Sequence, residues 1–573
     1  MATWQDIAAR KRAFRDSRIP AAWKLPPGTR NLPKDPPLFE HGPQNVLNFP
    51  RESGLLSSAE LHITEGYSIK TLLLALGSQK LSSVEVATAF CKRAALAQQL
   101  TNCITEPLFE SAIARAKLLD EYLAKNGKPF GPLHGLPITV KDTFEIKGVD
   151  TTIGIVSLCF KPATSNAPLI DLLTSLGCII IAKTNIPQTL ASLDSINNVF
   201  GRCMNPANRL MTAGGSSGGE GVMVAMKACM LGIGTDIGGS IRVPAMCNGV
   251  YGFKPSNGRI PYGGQAAIST EGSSRLGVQA VAGPIARSME DIDIVMREIL
   301  PISNLWAEDC LPGTWPSTLS KRGSGTNGSF VVGILRSDGN CELLPPISKI
   351  LTEVAAKLRA TKGVEVIELP TPTAWTKCQS LMSKLMGIDG GSVISEMIKS
   401  SGEPIVPWMV TRMRVGTPRP LREVAELQTR RAVIEREMLD LWNETDSNGG
   451  KRRRIDAIIC PLASHPVPEI ERYNAVGYTS SFVLLDYPAG VLPVRQFNEG
   501  DLELRKAMPG KAISSWDEKS RELWDEKTVN RRVYLGTTLS IQVVTPKLED
   551  TRLCEAMTII DDAMKESGPR AKL

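Results

Sequence analysis

The sequence predicts an α/β fold, and three observations carry that prediction. Short apolar runs at residues 136–140 (LPITV), 178–182 (CIIIA) and 455–460 (IDAIIC) read as strands buried on both faces. Helical patterns lie between them. Ser82 with Glu85 makes a capping box ahead of Val86, Phe90 and Leu96, and a second pattern runs from Ala112 through Leu118, Leu119 and Leu123. Beyond a Gly/Ser/Thr-rich loop at 312–329 comes a strand–helix–strand unit over 330–335, 347–358 and 364–369. Strands that alternate with helices in this way belong to the α/β class.

At 573 residues the chain is longer than most single domains. Strand-like segments continue past the 312–329 loop, including 540–544 (SIQVV), so the loop is read as a surface excursion. The expected organisation is an N-terminal helical extension over residues 1–60 and one large domain over 61–565. A net charge of +7 is small for this length and is not gathered into a stripe, which argues against nucleic-acid binding. The one dense basic run, Lys451 to Arg454, reads as a solvated loop.

The 12 cysteines are scattered with no C-x-x-C pair, and no metal or other cofactor is expected. The N-terminus, with Asp6, Arg10, Lys11, Arg12 and Arg15, is charged rather than apolar, and no apolar run has membrane-spanning length. These features predict a cytoplasmic protein with reduced thiols and no membrane partner. The terminal Ala571-Lys572-Leu573 is close to the S-K-L peroxisomal address, so peroxisomal import is a second expectation.

Chemistry concentrates between Thr212 and Gly258. Two clusters of glycine and serine, Gly214 to Gly219 and Gly238 to Ser240, flank an apolar, helix-like stretch over 222–231. Glycines around serines suit a site where backbone N–H groups approach a ligand oxygen. A phosphate-binding loop is excluded because neither cluster runs into Lys-Ser or Lys-Thr, and Gly232-Ile233-Gly234 lacks the third glycine at the dinucleotide spacing. Gly215-Ser216-Ser217-Gly218-Gly219 also fits G-x-S-x-G, which would make Ser217 the nucleophile of an α/β-hydrolase-type esterase with His465 as base. That elbow must follow a strand, and residues 205–213 do not read as one.

The same segments resemble the amidase signature family, whose hallmarks are a GGSSGG loop and a GTDIGGSIR-x-P block. Both are present, as Gly214 to Gly219 and as Gly234 to Arg242 with Pro244. Residues 131–142 (GPLHGLPITVKD) are similar to the family's lysine strand, and 456–461 and 485–489 match further blocks. The resemblance spans about residues 60–565, and the phrases at 90–95 and 97–103 are similar to fungal acetamidases. It implies a large mixed β-sheet covered by helices on both faces, and an amidase that needs no cofactor.

Carried to this chain, the resemblance implies Ser240 as the nucleophile that becomes acylated, Ser216 as proton relay after a cis Gly215–Ser216 bond, and Lys141 as the ultimate base. It implies an oxyanion hole from the N–H groups of Ile237, Gly238, Gly239 and Ser240. Chemistry agrees: a serine hydroxyl needs a neighbour to take its proton, and lysine can do so only as a neutral amine. Asp236 and Arg242 read as a charged clamp on the loop, and Ser217 as a packing or hydrogen-bonding residue. The expected partner is a small-molecule amide, either a small aliphatic amide or one from secondary metabolism, with a homodimer left open. An alternative is the glutamine-hydrolysing subunit of a tRNA-dependent amidotransferase, which shares these motifs.

Overall fold

The computed structural model describes residues 2–565 apart from 27–44, 267, 271, 411, 412, 414, 446–451 and 475. The tripeptide Ala571-Lys572-Leu573 and Lys451 lie outside the described residues.

One mixed 11-stranded sheet organises the molecule. Its strands are β1 (Ile104–Pro107), β2 (Pro137–Lys141), β3 (Ile179–Thr184), β4 (Leu231–Asp236), β5 (Tyr251–Lys254), β6 (Val281–Ala286), β7 (Phe330–Leu335), β8 (Val364–Leu369), β9 (Ala457–Cys460), β10 (Ala489–Gln496) and β11 (Thr538–Val544). They lie side by side in the order β1-β3-β2-β4-β6-β5-β10-β11-β9-β7-β8. The β3-β2-β4 pairings are parallel, as are β9-β7-β8, and the other pairings in the sheet are antiparallel. The sheet therefore runs without a break across the 312–329 loop.

The helices used below are α1 (Trp4–Ser17), α2 (Ser83–Thr101), α3 (Phe109–Asn126), α4 (Gly218–Ala225), α5 (Arg242–Asn248), α6 (Pro345–Ala360), α7 (Leu421–Trp442), α8 (Gly477–Leu484) and α9 (Asp550–Lys565). Both faces of the sheet are covered, and strand parity shows how. Val332 and Ile334 of β7 pack with Ile350 and Val354 of α6 and Leu553 of α9. Their neighbours Val331 and Leu335 join an opposite cluster with Leu427 and Ile434 of α7 and Phe482 of α8. Successive side chains on a strand point to opposite faces, so a continuous apolar run requires this two-sided cover. At the N-terminus, Thr3 caps α1 through a capping box, and Lys11 of α1 reaches a buried cluster with Glu106 and Asp150.

Most elements follow the sequence pattern: the Ser82–Glu85 box caps α2, and the helical pattern from Ala112 lies within α3. Two expectations need correction. The apolar stretch over 222–231 is not one helix. α4 ends at Ala225, Lys227 takes a left-handed φ of 56°, and Leu231 opens β4. An apolar run buried on all sides has no periodicity that separates helix from strand. The basic run is not a plain loop either, because Arg452–Arg454 pairs antiparallel with Asn443–Thr445.

Candidate active site

Parallel pairing of β2 with β4 brings the lysine strand beside the two serine loops, since Val140 lies opposite Ile233. Lys141 ends β2 and is fully buried. Its Nζ donates to Ser216 Oγ and to Thr235 Oγ1, each at 2.7 Å. Burial is the largest influence on this amine and pulls its pKa from 10.5 to about 7, against the opposing pull of the Asp236 and Glu220 carboxyls.

The GGSSGG loop is held by close backbone packing. A Cβ on Gly215 would lie 2.5 Å from the Ser192 carbonyl oxygen, and one on Gly219 the same distance from Asn185 N. No larger residue fits at either place. The Gly215–Ser216 peptide is cis. Ser217 is fully buried, and its hydroxyl accepts from Thr235 N–H at 3.2 Å and donates to the Thr235 carbonyl at 3.3 Å. Its own N–H donates to the Ser240 carbonyl at 3.2 Å, which joins the two loops.

Ser240 precedes α5 and is 5% exposed. Its hydroxyl makes no hydrogen bond among the described residues, so Lys141 and Ser216 are in direct contact while Ser240 reaches them through the loop backbone. Asp236, the last residue of β4, grips the turn between them. Its Oδ1 accepts from Gly239 N–H at 2.7 Å and its Oδ2 from Ile241 N–H at 3.1 Å. Arg242 binds both oxygens, through Nε and Nη2 at 3.0 Å each. Burial pushes the Asp236 pKa up, but the Arg242 charge and hydrogen bonds outweigh it and hold the group at about 2. Arg242 also donates to Gln542 Oε1 at 2.6 Å and to the Thr479 carbonyl at 2.9 Å, anchoring the turn to β11 and α8.

The turn leaves the N–H groups of Ile237, Gly238 and Ser240 without hydrogen bonds among the described residues. The Gly239 N–H, which the resemblance assigns to the oxyanion hole, donates to Asp236 Oδ1. Its φ of +127°, with Thr479 Oγ1 only 2.7 Å from where a Cβ would stand, explains the glycine. Gly238 is different: a Cβ there would meet nothing within 4 Å.

Ser217 and His465 are not brought together. His465 Nδ1–H donates to the Pro466 carbonyl at 2.8 Å, and Nε2 accepts from Asn474 N–H at 3.3 Å. Burial pulls its pKa down to about 4, and neither nitrogen is free to serve a serine. A cavity of about 770 Å³ elsewhere, lined in part by Arg12, Gln98 and Arg202, includes none of these site residues.

The Amidase family profile matches residues 85–554. The chain belongs to the amidase family. It is 36% identical over 561 residues to an acetamidase of Emericella nidulans, covering 96% of each chain, and 36% identical over 557 residues to an acetamidase of Aspergillus oryzae, covering 96% of this chain and 97% of that one. Among solved structures it superposes on fatty acid amide hydrolase with a TM-score of 0.83 at 28% identity, covering 97% of this chain and 94% of that one. The large mixed sheet is thus the amidase signature fold, and the protein is a hydrolase acting on amide C–N bonds.

Sequence reasoning did not single out two polar residues near Lys141. Thr235, the second acceptor for Lys141, sits in the GTD block beside Asp236, and Glu220 directly follows the GGSSGG loop. Adjacency to those blocks was the available signal in both cases.

Proposed function

We propose that this amidase hydrolyses a carboxylic amide through an acyl-enzyme on Ser240, with Ser216 as relay and Lys141 as base. The observation that carries the reading is the 2.7 Å contact between Lys141 Nζ and Ser216 Oγ in a buried setting that brings the lysine pKa to about 7. As a neutral amine, Lys141 takes the Ser216 proton while Ser216 Oγ takes the proton of Ser240. Ser240 Oγ attacks the amide carbonyl carbon, and the oxyanion is received by the N–H groups of Ile237, Gly238 and Ser240. The proton returns along Lys141 and Ser216 to the leaving nitrogen, the C–N bond breaks, and ammonia or an amine departs. Water then attacks the ester, its proton following the same relay, and the carboxylate is released with Ser240 restored.

The fungal acetamidases among the relatives support a small aliphatic amide as substrate. An ammonia-release screen over amides of increasing acyl length tests this. Turnover should be greatest for short acyl groups and absent in Ser240→Ala, whereas ammonia release that survives Ser240→Ala would contradict the reading.

A further inference from the structure

Glu220 is a fully buried carboxyl on α4 that the proposed mechanism leaves without a task. Its Oε2 accepts from Thr139 Oγ1 at 2.5 Å and its Oε1 from Thr184 Oγ1 at 2.6 Å. Thr139 lies two residues before Lys141 on β2 and so shares its face of the sheet. Register places Thr139 opposite Gly232 of β4, and a Cβ on Gly232 would fall 2.3 Å from Glu220 Oε2. The sheet is hollowed at Gly232 to seat this acid.

Lys141 on β2 couples to Glu220, and Asp236 at the end of β4 faces Lys141. The thiols of Cys103 and Cys229 are close to the carboxyl. Arg93 of α2 turns instead to the Met226 carbonyl and Glu65, and Arg287 beyond β6 turns to the Thr64 carbonyl. Among the described residues Glu220 forms no ion pair within salt-bridge distance.

We propose that Glu220 is a positioning residue that biases the ionisation of Lys141, its carboxyl tying the helix behind Ser216 to the lysine strand and placing a second buried acid on the face of the sheet that carries the amine. This rests on Lys141 being the base. Burial pushes the Glu220 pKa up to about 8, against the pull of the two threonine hydroxyls and Lys141, and so brings it near that of the lysine. Each group feels the other's charge, so after the first dissociation the remaining proton is shared between them. Loss of the first proton yields either a neutral amine beside a carboxylic acid, which is active, or an ammonium beside a carboxylate, which is not. The share of the second form withholds activity at the foot of the rise, and it vanishes once position 220 cannot ionise.

The test is kcat/KM for ammonia release against pH in the full-length enzyme, for wild type, Glu220→Gln and Lys141→Ala. Glutamine keeps the shape and one acceptor but cannot ionise, so the acid-side midpoint should move down by about half a pH unit or more. Thr184→Val removes one donor to the carboxylate and should move the midpoint the same way by less, with Thr184→Ser restoring it. A residue that only packs would lower the rate at every pH and leave the midpoint in place. An unmoved or raised midpoint in Glu220→Gln overturns the proposal, and if that variant does not fold, an unmoved midpoint in Thr184→Val does so. A limb that survives in Lys141→Ala would instead refute the base itself. A limb lost there but unmoved in Glu220→Gln refutes only the role of Glu220.

Discussion

At the scale of single residues, the proposed chemistry turns on a lysine that is neutral near neutral pH. An exposed lysine titrates near 10.4 and would be almost fully protonated at pH 7. Burial lowers Lys141 to about 7, so the free amine gains population as pH rises through that value. Activity should climb through about pH 7 and level off on the alkaline side. Lys141→Ala should remove that limb together with most of the rate, and Lys141→Arg should do no better, because guanidinium stays protonated. An arginine variant with wild-type rates would mean that position 141 supplies only positive charge. His465 has no proton to move in this scheme. His465→Ala should leave kcat of the folded enzyme within a small factor, whereas a loss of about a thousandfold would revive the Ser217 elbow.

At the scale of elements, the turn between β4 and α5 is a clamped loop. Asp236 and Arg242 are fully buried against each other, so Asp236→Ala strands an unpaired guanidinium and should destabilise the fold by about 3–5 kcal/mol in chemical denaturation. The two glycines ahead of Ser240 should separate cleanly. Gly239→Ala forces a side chain into φ +127° against Thr479 and should lower kcat by about a hundredfold or more by moving Ser240. Gly238→Ala meets open space, and its stability should stay within about 0.5 kcal/mol of wild type. Equal damage from both substitutions would contradict this reading of the turn.

Much at this scale was legible before the structure. Capping residues, short β-runs and the glycine–serine blocks announce themselves through local chemistry. Other features did not, for physical reasons. β4 carried no strand signal because its run of Leu231 to Asp236 includes two glycines and follows the buried apolar stretch directly, and the left-handed turn at Lys227 that separates it from α4 carries no glycine or asparagine to mark it. The direction of the Gly239 N–H depends on a dihedral angle and not on residue type. Glu220 carries no signal of its own in the sequence, and its contacts to Thr139 and Thr184 exist only once β2 and β3 lie side by side.

At the scale of the whole molecule, one sheet joins residues more than 400 apart in sequence, and the site lies where its parallel β3-β2-β4 segment meets the clamped turn. The distant half contributes through Arg242, which is fixed by Gln542 of β11 and Thr479 of α8. Among the described residues no helix is long and apolar enough to cross a membrane. The central claim, that this architecture serves a serine nucleophile at position 240 driven by Lys141, is tested most directly by mapping a fluorophosphonate probe. The label should fall on Ser240, with labelling that slows sharply in Lys141→Ala while the protein remains folded. Label on Ser217, or labelling indifferent to Lys141, would contradict it.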